Sequence, residues 1–152
     1  MGDGTFEAPG YLENGGNLGI GSDSNVLISV AGELRQLEYS QRLARRSRNV
    51  IAAKNGSVGR RLFDCALSGG GMALHAPSNL SVRSQADIVS LDIKAAPYLT
   101  ADNILDHWLF AGGPCVESVW VAGVKRVEGG RHVNREAIHK RFLAAMQELL
   151  NG

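Results

Sequence analysis

A short apolar stretch ending on a carboxylate, Asn17-Leu-Gly-Ile-Gly-Ser-Asp-Ser-Asn25, constrains this chain more than any other segment. Leu18 to Ile20 reads as a brief buried strand, and the residues after it are those that turn a chain sharply. Gly19 and Gly21 let a neighbouring backbone or a ligand come close, and Asp23 stands at the strand's C-terminal end, where parallel barrels place their chemistry. The same residues also suit a plain turn, in which Asp23 caps the loop and Ser22, Ser24 and Asn25 bond the local backbone.

The segments on either side give this strand a helical frame. Gly10 to Gly16 reads as a helical turn stopped by Gly-Gly. Ser29 is placed to cap a helix from Val30 to about Ala53, with Val30, Leu34, Leu37, Leu43 and Val50 inward and Arg35, Arg42, Arg45 and Arg48 largely outward. Glu33 near its start and arginines in its second half suit the helix dipole, so the basic run needs no ligand. It lacks the interleaved aromatics of a nucleic-acid surface. Asn55-Gly-Ser57 breaks the chain, and Val58 to Leu67 resumes a helical pattern with Leu62, Phe63, Ala66 and Leu67 facing a core. Gly69-Gly-Gly71 interrupts it as a close-packed junction; no Lys-Ser/Thr pair follows to make a nucleotide loop.

From Leu80 onward the texture changes to short β segments at Leu80 to Val82, Asp87 to Leu91 and Val116 to Val121, the last turning at Gly123 into Lys125 to Val127 as a hairpin. Between them Ala101 to Phe110 has the pattern of a helix, with Ile104, Leu105, Trp108 and Leu109 on its apolar side. Asn134 is the expected cap of a terminal helix whose Ile138, Phe142, Met146 and Leu149 recur at helical spacing as packing surface.

Bulk composition excludes several classes. The 152 residues are 44% hydrophobic, enough for a packed core. Sixteen basic against fifteen acidic side chains leave a formal charge of +1, which gives no electrostatic case for nucleic acid or an anionic membrane. No apolar run approaches the ~20 residues of a membrane span, and Met1-Gly-Asp-Gly lacks the features of a secretion signal, so the cytoplasm is the expected location. Cys65 and Cys115 are read as reduced structural thiols.

Four segments, in order, carry a resemblance across nearly the whole chain: Gly15 to Asn25, Glu33-Leu-Arg-Gln-Leu-Glu-Tyr-Ser-Gln-Arg-Leu43, Ala86-Asp-Ile-Val-Ser-Leu-Asp92 and Val119-Trp-Val-Ala-Gly-Val-Lys-Arg-Val-Glu-Gly-Gly-Arg-His132. Together they resemble the C-terminal end of amidohydrolase-superfamily deaminases. The Ser-Asp-Ser-Asn turn followed by Leu-Glu-Tyr-Ser-Gln-Arg points within that superfamily to the formimidoylglutamate deiminases. Gly32, early in a helix, and Arg83, where a glycine commonly precedes the Ala-Asp-Ile-Val strand, depart from the family pattern.

The resemblance implies an α/β fold: the last strand and outer helices of a TIM-type (β/α)8 barrel over 1–75, part of a small β-sandwich domain with a helical insertion over 76–133, and a C-terminal helix over 134–152. Such a fold is incomplete on its own. The implied chemistry is hydrolytic deimination of N-formimino-L-glutamate in histidine breakdown. Asp23, falling on the last-strand position, would be both catalytic group and metal ligand, coordinating Zn2+ or a similar divalent ion and accepting a proton from its bound water.

Zinc needs about three or four protein ligands. His75, His107, His132 and His139 form neither His-x-His nor His-Glu-x-x-His and are read as ordinary histidines. The remaining ligands are therefore expected upstream, the metal is not expected to bind stably to this chain alone, and the isolated chain is expected to be inactive. A small-molecule substrate in the parent enzyme and either a homo-oligomer or the missing N-terminal portion are the expected partners. Two other readings stay open: a deaminase of the same type acting on another C=N substrate, and a non-catalytic structural or assembly remnant.

Overall fold

The computed structural model describes residues 4–52, 56–76, 79–101 and 103–152. Met1, the expected helix end at Ala53 and the expected break at Asn55 lie outside the described residues. The chain divides into two compact units, one of residues 1–79 with 93–114 and the other of 80–92 with 115–152.

The first unit is helical. α1 (Ala8–Glu13) opens with Pro9, whose fixed φ suits a first turn. Glu7 caps it, its carboxylate accepting from the Gly10 amide at 3.1 Å and pairing with Arg45. The Gly10 hydrogen bond holds the Glu7 carboxyl below the usual carboxylate value, with burial opposing and Arg45 reinforcing. A carboxyl depressed in the folded state stabilises it above the unfolded value of 4.5, and that contribution disappears as pH falls through the lowered folded value. Acid titration below about pH 4.5 is therefore expected to loosen α1, and Glu7→Gln should remove that part of the pH dependence. An unchanged acid limb in the Gln variant, followed by circular dichroism, would count against this tie.

α2 (Val30–Arg45) begins as expected, with Ser29 Oγ accepting from the Gly32 amide at 3.0 Å. It ends at Arg45, sooner than the periodicity predicts, because Arg46 turns left-handed (φ 49°) and the chain folds back. The carboxylate of Glu38 collects the returning chain: its two oxygens accept from the Val50 and Ile51 amides, each at 3.0 Å, and one also accepts from Arg42 Nε at 2.7 Å. Glu38 is fully buried, and Gln41 beside it donates to the Phe6 carbonyl at 2.8 Å. The inward face is thus Leu34, Leu37, Glu38 and Gln41, whereas Val30 and Leu43, expected inside, are exposed.

α3 (Val58–Ala73) is capped by Ser57 and runs through Gly69 to Gly71 without interruption. Gly69 is instead a contact point, since a Cβ there would collide with the backbone of Leu18. α4 (Ile104–Asp106) continues into a π-helical turn, His107–Ala111. Gly59 in α3 meets it backbone to backbone; a Cβ would lie 2.6 Å from the Asp106 amide nitrogen, and the Gly59 amide donates to Asp106 Oδ1 at 2.7 Å. Ala8, Leu34, Ile51, Val58, Leu62 and Leu109 form the core, with Ile20, Leu37, Ala66, Trp108 and Phe110 packed around it. Burial of this apolar surface, at roughly 25 cal/mol per Å2, is the main source of the unit's stability.

The second unit is a four-stranded antiparallel sheet in the order β1 (Ile88–Asp92), β2 (Cys115–Val121), β3 (Val124–Glu128), β4 (Arg131–His132). β1 and β2 pair with Ser90 opposite Ser118 and Leu91 opposite Val116, so Glu117 is the extra residue of a bulge. Its carboxylate accepts from the hydroxyls of Ser90 and buried Ser118, each at 2.9 Å. The expected hairpin joins β2 and β3 through Ala122 (φ 49°) and Gly123 (φ 77°), the double positive φ of a type I′ turn. Asp87 Oδ1 accepts from the Ala122 amide at 2.7 Å and helps hold that strained position. Leu80 to Val82, expected as a strand, forms none; Ser84 closes a turn on the Ser81 carbonyl instead. α5 (Arg135–Asn151) carries its apolar stripe on the surface, with Ile138, Phe142 and Leu149 all more than half exposed. Asn134 starts α5 through its carbonyl, which accepts from the Ile138 amide, and not through a side-chain cap.

Among the described residues no helix is long and apolar enough to cross a membrane.

Candidate functional site

Residues 17–21 run along the helical unit without regular secondary structure. Tyr11 donates its hydroxyl to the Asn17 carbonyl at 3.0 Å, Leu18 lies against Gly69, and Ile20 packs on the core. The stretch is not a strand as expected: among the described residues no neighbouring strand pairs with it, and α3 supports it instead.

The chain then turns. The Asn25 amide donates to the Ser22 carbonyl at 2.8 Å, closing a four-residue turn with Asp23 in its second position at φ 45°. Few side chains other than Asn and Asp accept that left-handed conformation readily, which gives a local reason for an aspartate here. Asp23 is exposed. Asn25 Nδ2 donates to Glu33 Oε1 at 2.7 Å and ties the turn to the first turns of α2. The arrangement is apolar segment, acidic turn, capped helix.

Two open grooves flank Glu33. One, of about 420 Å3, is lined by Asn25, Leu27, Arg35, Tyr39 and their neighbours; the other, of about 280 Å3, by Phe6, Leu18, Ile20 and Leu37 among others. Asp23 lines neither.

The histidines lie apart from this turn in sequence and in their contacts. His75 is exposed at the end of α3, and the half-buried His107 ring meets Tyr98 edge-on at 6.3 Å. His132 Nδ1 accepts from the Asn134 amide at 3.1 Å, and His139 stands on the exposed face of α5. Cys65 is a half-buried free thiol, and Cys115 is exposed at the start of β2. Among the described residues no three His, Cys, Asp or Glu side chains converge. A lone exposed carboxylate does not meet the three or four ligands that a zinc ion takes, so Asp23 and its surroundings do not by themselves fit a metal.

Sequence reasoning overlooked two carboxylates with defined work. Glu38 sits in the Leu-Glu-Tyr-Ser-Gln-Arg run with nothing to mark it as buried except its position four residues after Leu34, on the inward face. Asp106 binds the start of α3 from 47 residues away, a pairing without local signal.

No family model matches the chain. The structure superposes on an amidohydrolase from Brucella melitensis with a TM-score of 0.93 and 54% identity, covering 98% of this chain and 34% of that one. An adenosine deaminase from Xanthomonas campestris, crystallised with bound zinc, shares the fold at a TM-score of 0.70 and 19% identity, over 91% of this chain and 32% of its own. The chain is thus similar throughout to amidohydrolase-type enzymes. In sequence it is 46% identical over 157 residues to formimidoylglutamate deiminase of Pseudomonas aeruginosa, a match spanning 99% of this chain and 34% of that enzyme. The chain therefore spans about a third of the length of the relatives it matches, as a C-terminal portion of such an enzyme does.

Proposed function

We propose that this chain is the C-terminal portion of a metal-dependent deiminase that converts N-formimino-L-glutamate and water to N-formyl-L-glutamate and ammonia. The observation that carries the reading is similarity along 99% of this chain to a formimidoylglutamate deiminase, at 46% identity over 34% of that enzyme. The exposed turn that presents Asp23 agrees with it.

Water adds to the formimino carbon and the C=N bond becomes a C–N single bond. A carboxylate held beside that carbon accepts one proton from the attacking water and passes it to the imine nitrogen, then accepts the second from the resulting hydroxyl as the carbonyl forms and passes it to the same nitrogen, which leaves as ammonia. Asp23 is assigned this role and that of one oxygen ligand to zinc or a similar divalent ion. The other ligands are assigned to parts of the enzyme outside this chain, whose own described residues do not complete a metal site. In this reading residues 1–75 close a (β/α)8 barrel, 76–133 contribute to a small β-sandwich domain, and 134–152 form the terminal helix. The substrate is a small molecule, and the protein acts in the cytoplasm.

The test is ammonia release from N-formimino-L-glutamate, measured for the 152-residue chain and for a longer protein carrying the upstream two thirds, each with added zinc. The longer protein is expected to turn over, and the short chain to give no release above a metal-free control. Preference of the longer protein for a nucleobase or guanidino substrate would move the assignment to another deaminase of the same type. Zinc-dependent turnover by the short chain would overturn the division of the site.

A further inference from the structure

We infer that Asn25 and Glu33 act together as a positioning latch for Asp23, a role that rests on the catalytic assignment of Asp23 made above. The loop that carries Asp23 has little packing to hold it. Within this chain Val26 is 99% exposed and Ile28 82%, and Leu27 between them, 63% exposed, reaches only the surface of α2 near Gly32, so the apolar residues after the turn give it little packing here. On the N-terminal side the turn is anchored by Leu18 against Gly69 and Ile20 on the core, and on the α2 side the link is polar. Asn25 closes the turn through its amide, on the Ser22 carbonyl, and fastens it through its side chain, on Glu33. At the other end of that bond Glu33 is fixed in the first turns of α2, where its amide donates to the Ser29 carbonyl at 2.9 Å and Ser29 Oγ caps the helix.

An amide-to-carboxylate hydrogen bond at 2.7 Å is charge-assisted and stronger than a neutral one. It spans eight residues and bridges the loop that separates Asp23 from α2, so the helix sets where the turn sits. Asp23, two residues before Asn25 in the same closed turn, inherits that placement. A carboxylate that must reach both an attacking water and a leaving nitrogen loses rate steeply when displaced by about an ångström. Asn25 and Glu33 touch no reacting atom in this account; they act through Asp23.

The experiment is a double-mutant cycle in the longer, active protein with Asn25→Ala, Glu33→Ala and both together, alongside Glu33→Gln, whose amide oxygen can still accept from Asn25. Each alanine variant is expected to lower kcat roughly tenfold with KM little changed, because ground-state binding does not depend on Asp23 placement. The double variant should lose no more than either single one, and Glu33→Gln should stay within about threefold of wild type. Multiplicative losses, or kcat unaffected by either alanine, would overturn the latch.

Amide hydrogen exchange supplies a readout independent of turnover. Glu33→Ala should speed exchange of the Asn25 amide by roughly tenfold while the buried Leu34 and Leu62 amides keep their protection. Unchanged Asn25 exchange defeats the latch even if every rate falls. If the wild-type enzyme releases no ammonia from N-formimino-L-glutamate, the substrate assignment fails, and the exchange result still decides whether Asn25 and Glu33 hold the turn.

Discussion

Glu38→Ala is expected to lower the unfolding free energy by about 3 kcal/mol, the range found when one partner of a buried, hydrogen-bonded charge is removed. The carboxylate is fully buried and takes three bonds, from the Val50 and Ile51 amides and from Arg42 Nε. Alanine leaves the two amides without their acceptor at the point where the chain returns to α2, next to the core residue Ile51. Arg42 suffers less. Its side chain is 29% exposed, and its guanidinium lies 5.2 Å from the Phe110 ring and 5.3 Å from the Tyr39 ring, contacts that survive the substitution. Glu38→Gln should fall between wild type and alanine, because its single carbonyl oxygen can serve one amide and its amino group has a new need for an acceptor. The check is the urea midpoint at constant m-value, with the exposed Glu13→Ala as reference. A shift for Glu38→Ala no larger than that of Glu13→Ala would show that the return of residues 50–52 is held by packing alone.

The same region shows what a sequence conceals. Two helix starts were legible because their signals are local: Ser29 caps the helix from Val30 and Ser57, in the expected break, accepts an amide three residues on in the same way, whereas the helices expected from Gly10 and Ala101 begin at Ala8 and Ile104. The hairpin between β2 and β3 was legible for the same reason, although the residue at the first left-handed position is Ala122, which only the distant Asp87 explains. Helix ends and inward faces were less so. Between Arg45 and Ala52 the apolar spacing carries on and the one local stop signal is Asn49, left-handed at φ 51°; the reversal is held by a carboxylate two turns back that captures the Val50 and Ile51 amides. Gly69 to Gly71 misled for a related reason. Glycine in a helix costs roughly 1 kcal/mol each, which argues locally for a break, but tertiary contact requires Gly69 to have no side chain where Leu18 crosses. The stretch that leads to Asp23 is held by that crossing. The carboxylate itself is marked by its place after a short apolar run and in a Gly/Ser-rich turn, and its expected role by the family resemblance, while its tether through Asn25 to Glu33 depends on a contact over eight residues that no periodicity encodes.

Asp23→Asn is expected to reduce kcat by about 10²- to 10⁴-fold in the longer enzyme, the range associated with loss of a positioned acid–base group. The substitution separates chemistry from architecture. Asparagine has almost the same shape and is among the residues that tolerate a left-handed backbone, so the φ of 45° at this position carries no new strain. In the 152-residue chain the carboxylate is exposed and has no packing to lose. Stability of that chain, measured without metal, should therefore stay within about 0.5 kcal/mol of wild type, as for most surface substitutions. Alanine would confuse the two effects, because it also disfavours positive φ. If Asp23 served only to make the turn, asparagine would serve equally and kcat would be retained; more than a tenth of wild-type kcat in the Asn variant sinks the catalytic assignment. Loss of rate with stability preserved favours a proton-accepting carboxylate at the turn. Because Asn25 and Glu33 are argued to work only through this group, their alanine substitutions should then cost little further rate in the Asp23→Asn background. That dependence joins the proposed chemistry to the geometry of the turn, and a full additional penalty in the Asn background would separate them.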